Sequence, residues 1–289
     1  MTKIIESRND FGTMNEETVS YHNLTENDKK FLCKKYNVSI ENLKLYDINK
    51  HRKEILEVHR NDFGTTMGFD SKKLFTSKQN DQIGSYFEIT KEFVEAHPNG
   101  YSELKEDVLV VTKNTPGVVV GHITADYPVV MMTDRKQGIS VVGHCTAELI
   151  DKKLPAMLTY ILRSDYNAKP EDIYAYVSAA AGENFEFDEF PEWAEDMRIW
   201  ERCITYNNNG KYYVNLRPAL LFQIIAMGVK PYNIKFNMDD TRKNPHYYSK
   251  SIGNTEKANK REKYGRNFAG IFYEDNENSK KLLIKKGRI

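Results

Sequence analysis

Short apolar runs separated by turn-forming residues fill the middle of the chain. Gly, Pro, Asp and Asn residues divide the runs DVLVVT (107–112), GVVVGHIT (117–124), PVVMMT (128–133) and GISVVG (138–143). Turn residues at this spacing predict strand ends. Runs that lack polar alternation are typical of strands buried on both faces. We therefore predict four strands of one sheet within a single domain.

Helical periodicity follows the last of these runs. In HCTAELIDKKLPAMLTYILR (144–163) the apolar residues recur at helical spacing, and Pro155 inside the segment predicts a kink or a split. A second helix is predicted over 218–227, with its end at Gly228. Further strands are predicted over 173–178, 233–238 and 267–273. The alternation of strands and helices indicates an α/β domain.

The two ends of the chain differ from this middle part. Residues 1–57 are polar, carry a capping-box pattern from Thr25 to Asp28, and are predicted to form a helical N-terminal extension. The hexapeptide RNDFGT occurs twice, at 8–13 and 60–65, but two short copies do not make a repeat architecture. We predict a core over 58–273 and a basic, solvated tail over 274–289.

Charge and composition narrow the range of partners. The chain has 42 Lys and Arg against 41 Asp and Glu, a formal charge of +1, so no overall field attracts nucleic acid or anionic lipid. Its apolar runs are too short to span a membrane, and the N-terminus lacks the apolar stretch of a secretory signal. The three cysteines do not have metal-knuckle spacing. We therefore expect a cytoplasmic protein that binds neither nucleic acid nor membrane.

Polar side chains gather where predicted strands end. His122, Asp126 and Tyr127 lie at the exit of the second strand and the entry of the third. His144 and Cys145 lie where the fourth strand meets a helix. Small residues in SAAAGENFEFD and the acids of NMDDT follow two later strands. Because ligands bind at strand ends in open α/β sheets, we predict a pocket formed by these segments.

The order of these segments resembles the laccase-domain (YfiH-like) family. DVLVVT, GVVVGHITADYPVVMM and GISVVGHCTAEL resemble that family's "DALVT", "TADC-P" and "HAGWRG" at matching spacings. AAAGENFEFD, NIKFNMDDT and YGRNFAGIF resemble its later segments, and QNDQ (79–82) resembles its "QVHG". The resemblance runs collinearly from about Val58 to Tyr273. It implies a YfiH-like (CNF/YfiH-like) layered α-β-α single domain with mixed sheets.

The resemblance also implies a chemistry. The family is similar to zinc-dependent purine nucleoside phosphorylases that also deaminate adenosine, earlier described as polyphenol oxidases. Its open three-ligand zinc site corresponds to Asp81, Tyr127 and His144, of which only His144 keeps the family's residue. Glu148 replaces the arginine of "HAGWRG", whereas Arg266 keeps that of the "GR" segment. We therefore expect zinc to be weak or absent, with Asp81 and His144 as the candidate metal ligands.

Several alternatives stay open for these residues. Asp81, His144 and His122 could together hold a harder ion, or the two histidines could serve packing. Cys145 is either a nucleophile activated by a helix N-terminus, with His144 beside it, or a small buried residue. Asp126 is either a catalytic acid or a turn former.

Three functional hypotheses follow. The first is a divergent purine nucleoside phosphorylase-like enzyme with a degraded metal site. The second is a non-catalytic member of the fold that binds a ligand or a protein, and the third is a Cys-His hydrolase that uses Cys145 and His144. We expect a nucleoside-like ligand to contact Asp81, Tyr127, His122 and Arg266, in a monomer or homodimer.

Overall fold

The computed structural model describes residues 1–20, 23–43, 48–78, 85–254 and 264–275. The strands are β1 Thr2–Glu6, β2 Leu74–Ser77, β3 Tyr86–Glu88, β4 Tyr101–Leu104, β5 Val108–Thr112, β6 Val119–Thr124, β7 Val129–Asp134, β8 Ile139–His144, β9 Ile173–Val177, β10 Phe185–Phe187, β11 Ile204–Tyr206, β12 Tyr212–Val214, β13 Ile234–Phe236 and β14 Asn267–Tyr273. The helices are α1 Glu26–Tyr36, α2 Ile40–Leu43, α3 Arg52–Met67, α4 Lys91–Ala96, α5 Ala147–Asp151, α6 Leu154–Ser164, α7 Met197–Trp200, α8 Leu216–Ala226 and α9 Lys250–Gly253.

Two mixed sheets form the centre of the molecule. One has five strands in the order β1-β14-β6-β2-β4, and the other has six in the order β13-β9-β7-β8-β5-β3. Both combine parallel and antiparallel neighbours: β2 runs parallel to β6, whereas β14 is antiparallel to it. A small three-stranded sheet, β10-β12-β11, lies apart from them. The predicted mixed α/β architecture is confirmed.

The two large sheets pack face to face, with helices outside them. Phe75 and Ile271 from the five-stranded sheet share a buried core with Leu109 and Met131 from the six-stranded sheet. On its other face, the six-stranded sheet packs against α5, α6 and α8. Phe63 of α3 covers the outer face of the five-stranded sheet. Apolar side chains therefore face a core on both sides of the central strands, which explains their unbroken apolar runs.

One prediction about the sheets is wrong. The four apolar runs do form strands β5 to β8, but β6 belongs to the five-stranded sheet, whereas β5, β7 and β8 are neighbours in the six-stranded sheet. Asp126 and Pro128 lie in the connection from β6 to β7 that crosses between the sheets. An apolar run buried on both faces fits either sheet equally well, so the sequence pattern could not choose between them.

The predictions for the segment after β8 are confirmed. The helical pattern divides into α5 and α6, and Pro155 occupies the first turn of α6, where its missing N–H costs nothing. Thr146 caps α5 by accepting a hydrogen bond from Leu149 N at 3.3 Å. Downstream, α8 is followed by Gly228 with φ +93°. These local signals act through backbone hydrogen bonding, and tertiary contacts did not override them.

The N-terminal segment is more than a helical extension. Residues Thr2–Glu6 form β1, which pairs with β14 along its whole length, so the helical prediction is wrong for them. The capping box at α1 is present as predicted, and Asp28 also accepts a hydrogen bond from buried His59 at 2.6 Å. The domain boundary proposed at residue 57 stays a prediction.

No helix in the described ranges is both long enough and apolar enough to cross a membrane.

Candidate functional site

A cleft of about 1280 Å³ lies where β6 ends, β7 begins and β8 ends. The register of β7 against β8 places Val129 opposite His144, and Cys145 N donates to Pro128 O at 2.8 Å. This pairing holds the chain before β7 beside the chain after β8. The lining includes Glu16, Glu17, Lys53, Glu57, Arg60, Ser77, Asp126, Tyr127, His144, Glu148, Lys250, Ser251 and Arg266.

His144 lines the cleft, and His122 stacks on it from the protein interior without lining the cleft itself. Their ring centroids are 6.1 Å apart, with 24° between the ring planes. The Oγ of Ser77 lies 3.2 Å from His122 Nδ1, and Val142 O lies 3.3 Å from Nε2. Since a carbonyl only accepts, Nε2 carries the proton and Nδ1 accepts from the Ser77 hydroxyl. His122 is therefore held by protein partners at both nitrogens.

His144 differs from His122 because its buried Nε2 atom has no hydrogen-bond partner among the described residues. Burial lowers the pKa of His144 to about 3, with contributions from His122, Arg266 and Lys250, and burial lowers that of His122 to about 4. Both rings are therefore neutral near pH 7. A neutral imidazole with an unsatisfied nitrogen is suited to accept or donate one hydrogen bond to a ligand.

Tyr127 forms another part of the cleft wall. Its ring packs edge-on against Phe185, with the centroids 5.8 Å apart. Burial, followed by the neighbouring carboxylates of Glu148 and Asp126, raises the pKa of the Tyr127 phenol well above its usual range. The hydroxyl therefore stays protonated and acts as a neutral hydrogen-bonding group rather than an anionic ligand.

Asp126 links two loops at the back of the cleft. Its side chain is 4% exposed, and its Oδ1 accepts a hydrogen bond from Thr241 Oγ1 at 3.0 Å. Its Oδ2 accepts from Ser251 N at 2.7 Å. With both oxygens engaged, the carboxylate positions the chain around α9. This arrangement agrees with a structural use of Asp126, whereas its predicted catalytic role stays a prediction.

Cys145 is fully buried in the core shared by the six-stranded sheet and its helices. Its Sγ lies 3.8 Å from Gly143 O. Thr146, and not Cys145, caps α5, and burial raises the pKa of the Cys145 thiol. The nucleophile hypothesis for Cys145 requires a pKa lowered by the helix N-terminus, and burial shifts the pKa in the opposite direction.

Sequence analysis missed the contribution of α3 to the cleft. Lys53, Glu57 and Arg60 lie three or four residues apart on this helix, and all three line the cleft. The spacing of these charged residues could have indicated one helix face that lines a site. The polar composition of residues 1–57 instead predicts an extension outside the core. Arg266, predicted from the "GR" segment, also lines the cleft.

The described residues do not fit the zinc site that the resemblance implies. Asp81 lies outside the residues that the structure describes, and Tyr127 is a neutral phenol. In the described ranges, no three His, Cys, Asp or Glu side chains are placed to hold an ion. His144 does offer a nitrogen without a partner among the described residues. Both nitrogens of the neighbouring His122 are engaged by protein groups, and Cys145 is a protonated thiol, so this set is a poor zinc site.

Comparisons with known proteins agree with the fold. The profile of a family described as multi-copper polyphenol oxidoreductase laccase matches residues 30–274. The structure is similar to the hypothetical protein YfiH of Bacillus licheniformis, with a TM-score of 0.63 at 14% identity, covering 77% of this chain and 82% of that one. It is also similar to YlmD of Geobacillus stearothermophilus, with a TM-score of 0.60 at 16% identity and the same coverage. No curated protein matches the sequence significantly.

Proposed function

The chain belongs to the multi-copper polyphenol oxidoreductase laccase family, and from this premise we propose that its cleft binds a nucleoside-like small molecule without zinc-dependent phosphorolysis. The observation that carries the proposal is that His144 and Tyr127, both neutral, line the same cleft. At the positions that the resemblance assigns to a metal, these two groups are hydrogen-bonding partners for an organic ligand.

The geometry supports a binding site in three ways. At about 1280 Å³ the cleft is larger than the roughly 300 to 1,000 Å³ of a typical small-molecule site, so a nucleoside has room within it. Its wall combines aromatic rings of Tyr127 and Phe185, suited to a flat base, with polar groups suited to a sugar. His144 Nε2 is buried and has no partner in the part of the chain that the structure describes, which costs free energy that a ligand hydrogen bond would recover.

The expected absence of phosphorolysis follows from the chemistry of the side chains at the metal-ligand positions. Metal affinity requires deprotonated ligands in fixed geometry, and the raised pKa of Tyr127 keeps its phenol protonated. Without a bound ion, the site has no Lewis acid to polarise a substrate. Glu148, in the first turn of α5, adds negative charge where an incoming phosphate would approach that helix.

The test combines three measurements on one preparation purified without chelator. We expect far less than one zinc per chain by elemental analysis, no adenosine or inosine phosphorolysis above background, and measurable adenosine binding by calorimetry. Tyr127→Ala should weaken that binding at least tenfold, because it removes the stacking surface. Exposed Tyr232, 77% accessible and outside the cleft, provides the matched control Tyr232→Ala.

Two results would contradict the proposal. One is near-stoichiometric zinc that is lost in His144→Ala, together with phosphorolysis well above background, which would show that Asp81 and His144 hold a working ion. The other is the absence of any nucleoside binding. The hydrolase hypothesis gains no support, because Cys145 is buried away from solvent and its thiol is protonated.

A further inference from the structure

Two arginines line the cleft without a carboxylate partner at ion-pair distance in the described part of the chain. Arg60 lies on α3, and Arg266 is the residue immediately before β14. Glu16 and Glu57 near Arg60, and Glu17 and Asp126 near Arg266, act on them through space without a direct hydrogen bond. The guanidinium of Arg266 donates to its neighbour's carbonyl, Gly265 O, at 2.7 Å.

Both guanidinium groups are partly removed from water. Burial is the first cause of the lowered pKa of each arginine. The Nε atom of Arg60 is buried and has no hydrogen-bond partner among the described residues. Burial of a cation is costly unless it is paired and hydrogen-bonded. In the described part of the chain, no carboxylate at ion-pair distance offsets this cost for either arginine, so an anion bound in the cleft would stabilise both.

The backbone places Arg266 beside the segment that leads to Glu16 and Glu17. Arg266 N donates to Thr13 Oγ1 at 3.0 Å, and Met14 N donates to Arg266 O at 2.9 Å. The 3-10 turn Glu16–Thr18 follows Met14 and packs against α3, the helix that carries Arg60. Arg60 and Arg266 therefore border the same cleft beside one short stretch of chain, Arg60 from α3 and Arg266 from the residue before β14.

The positive charge extends to His144. Arg266 and Lys250 line the cleft together with His144, and their charges contribute to the lowered pKa of its ring. The unpartnered Nε2 of His144 is at the floor of the same cleft. An occupant that satisfies these groups together has a hydrogen-bonding part near His144 and an anionic part near the arginines.

We propose that Arg60 and Arg266 hold an oxyanion group of the ligand, which makes the occupant a phosphorylated nucleoside rather than a neutral one. The planar fork of arginine matches the oxygens of a phosphate ester, and such charge-assisted pairs are strong in a partly buried site. The inference rests on the proposed nucleoside-binding function for the ligand's neutral part. The oxyanion site itself depends only on the two arginines.

The experiment measures binding of adenosine 5′-monophosphate, adenosine and inorganic phosphate to the full chain by calorimetry, at low and high salt. We expect the monophosphate to bind roughly tenfold or more tightly than adenosine, with an affinity that falls as salt rises. Arg60→Gln and Arg266→Gln should each weaken monophosphate binding roughly tenfold, a larger factor than either variant produces for adenosine. Arg60→Lys, which keeps the charge but loses the fork, should lie between wild type and Arg60→Gln.

Arg135→Gln is the matched control, because Arg135 is an exposed arginine outside the cleft that stacks on Tyr174. Circular dichroism of every variant checks that it is folded. If Arg266→Gln does not fold, the result for Arg60→Gln is sufficient to test the inference. Equal affinity for monophosphate and adenosine, unchanged monophosphate affinity in Arg60→Gln, or no binding of either phosphate compound would overturn the inference. Arginine-dependent binding of inorganic phosphate without adenosine binding would support the oxyanion site with free phosphate as its source, and would refute the nucleoside function instead.

Discussion

The carboxyl group of Glu6 is buried, and burial makes its charged form costly. It lies at the end of β1, and its Oε2 accepts hydrogen bonds from Ala179 N at 3.2 Å and Asn237 Nδ2 at 3.1 Å. Its Oε1 is buried without a partner among the described residues. Burial is the largest effect on the Glu6 carboxyl and raises its pKa, although hydrogen bonds from Tyr176, Ala179 and Asn237 oppose it. Folding therefore favours the protonated form of Glu6.

This shift has a defined consequence for stability against pH. A group whose pKa is raised on folding contributes fully below its unfolded pKa, and the contribution is lost as the pH rises through the folded value. The free energy of unfolding should therefore fall as the pH rises above about 4.5, the ordinary pKa of a glutamate, and through the raised pKa of Glu6. Glu6→Gln keeps the accepting oxygen and removes the ionisation, so this decline should be reduced in urea titrations. An equally steep decline in the variant would assign it to other groups.

Cys145 illustrates how burial overrides a local signal. Its side chain is inaccessible and surrounded by core residues. We expect Cys145→Ala to lower the free energy of unfolding by on the order of 1 kcal/mol, the cost of a small cavity, and to leave nucleoside binding unchanged. Urea denaturation and calorimetry measure the two effects. Loss of binding with unchanged stability would return Cys145 to the candidate site residues.

At the scale of elements, β6 and β14 pair through two glycines that leave no room for a side chain. Gly121 and Gly270 are register partners, and the ring of Phe268 lies over both. A Cβ at Gly121 would stand 2.3 Å from Ala269 O and 2.4 Å from the Phe268 ring. Close packing of this kind admits no methyl group without backbone movement.

We therefore expect Gly121→Ala to destabilise the protein by about 2 kcal/mol or more, as overpacking does in rigid cores. Thermal and urea unfolding measure the change. Ala269→Gly, at the neighbouring position of β14, is a comparison that removes a methyl group and relieves no clash, and should cost about 1 kcal/mol. A Gly121→Ala variant as stable as wild type would show that the two strands can separate freely.

The cap of α5 couples an element to the cleft. Thr146 follows His144 and Cys145 directly, and its hydroxyl accepts from Leu149 N. Thr146→Ala should cost about 1 kcal/mol of stability and should weaken ligand binding, because the first turn of α5 carries Glu148 of the cleft wall. Thr146→Ser keeps the capping oxygen and should restore both properties. Equal unfolding midpoints for the Ala and Ser variants would contradict this role.

At the scale of the whole molecule, the N-terminal strand completes a central sheet. β1 pairs with β14 over five residues, and Ile5 is buried in the core that α3 shares with that sheet. Deletion of residues 1–7 would expose the edge of β14 and remove Ile5 and Glu6 from their contacts. We expect a loss of several kcal/mol in the free energy of unfolding, since it opens an apolar core and an unpaired edge.

Urea denaturation and size-exclusion chromatography measure this effect. The control is deletion of 276–289, the part of the predicted solvated tail (274–289) that lies outside the described residues. Aggregation or a lowered unfolding midpoint in the first deletion alone is the expected outcome. Unchanged stability after removal of β1 would mean that the N-terminal segment is an appendage, as its polar sequence suggested.

The sequence by itself determined the local elements. Pro155 divides α5 from α6, Gly228 follows α8, and the Thr25–Asp28 box begins α1, because each signal acts on backbone hydrogen bonds within a few residues. The apolar runs also determined which strands are buried. The order of motifs was sufficient to indicate the family, since spacing survives when single residues change.

Only the tertiary structure decided which elements meet. The RNDFGT hexapeptide shows the difference: its first copy forms a 3-10 turn ended by Gly12 at φ +72°, and its second lies within α3, yet Phe11 and Phe63 pack against each other. Likewise, the sheet that takes β6 and the cleft that takes Arg60 depend on residues far away in the chain. Periodicity records which side of an element is buried, but the partner that covers it is set by the packing of the whole molecule.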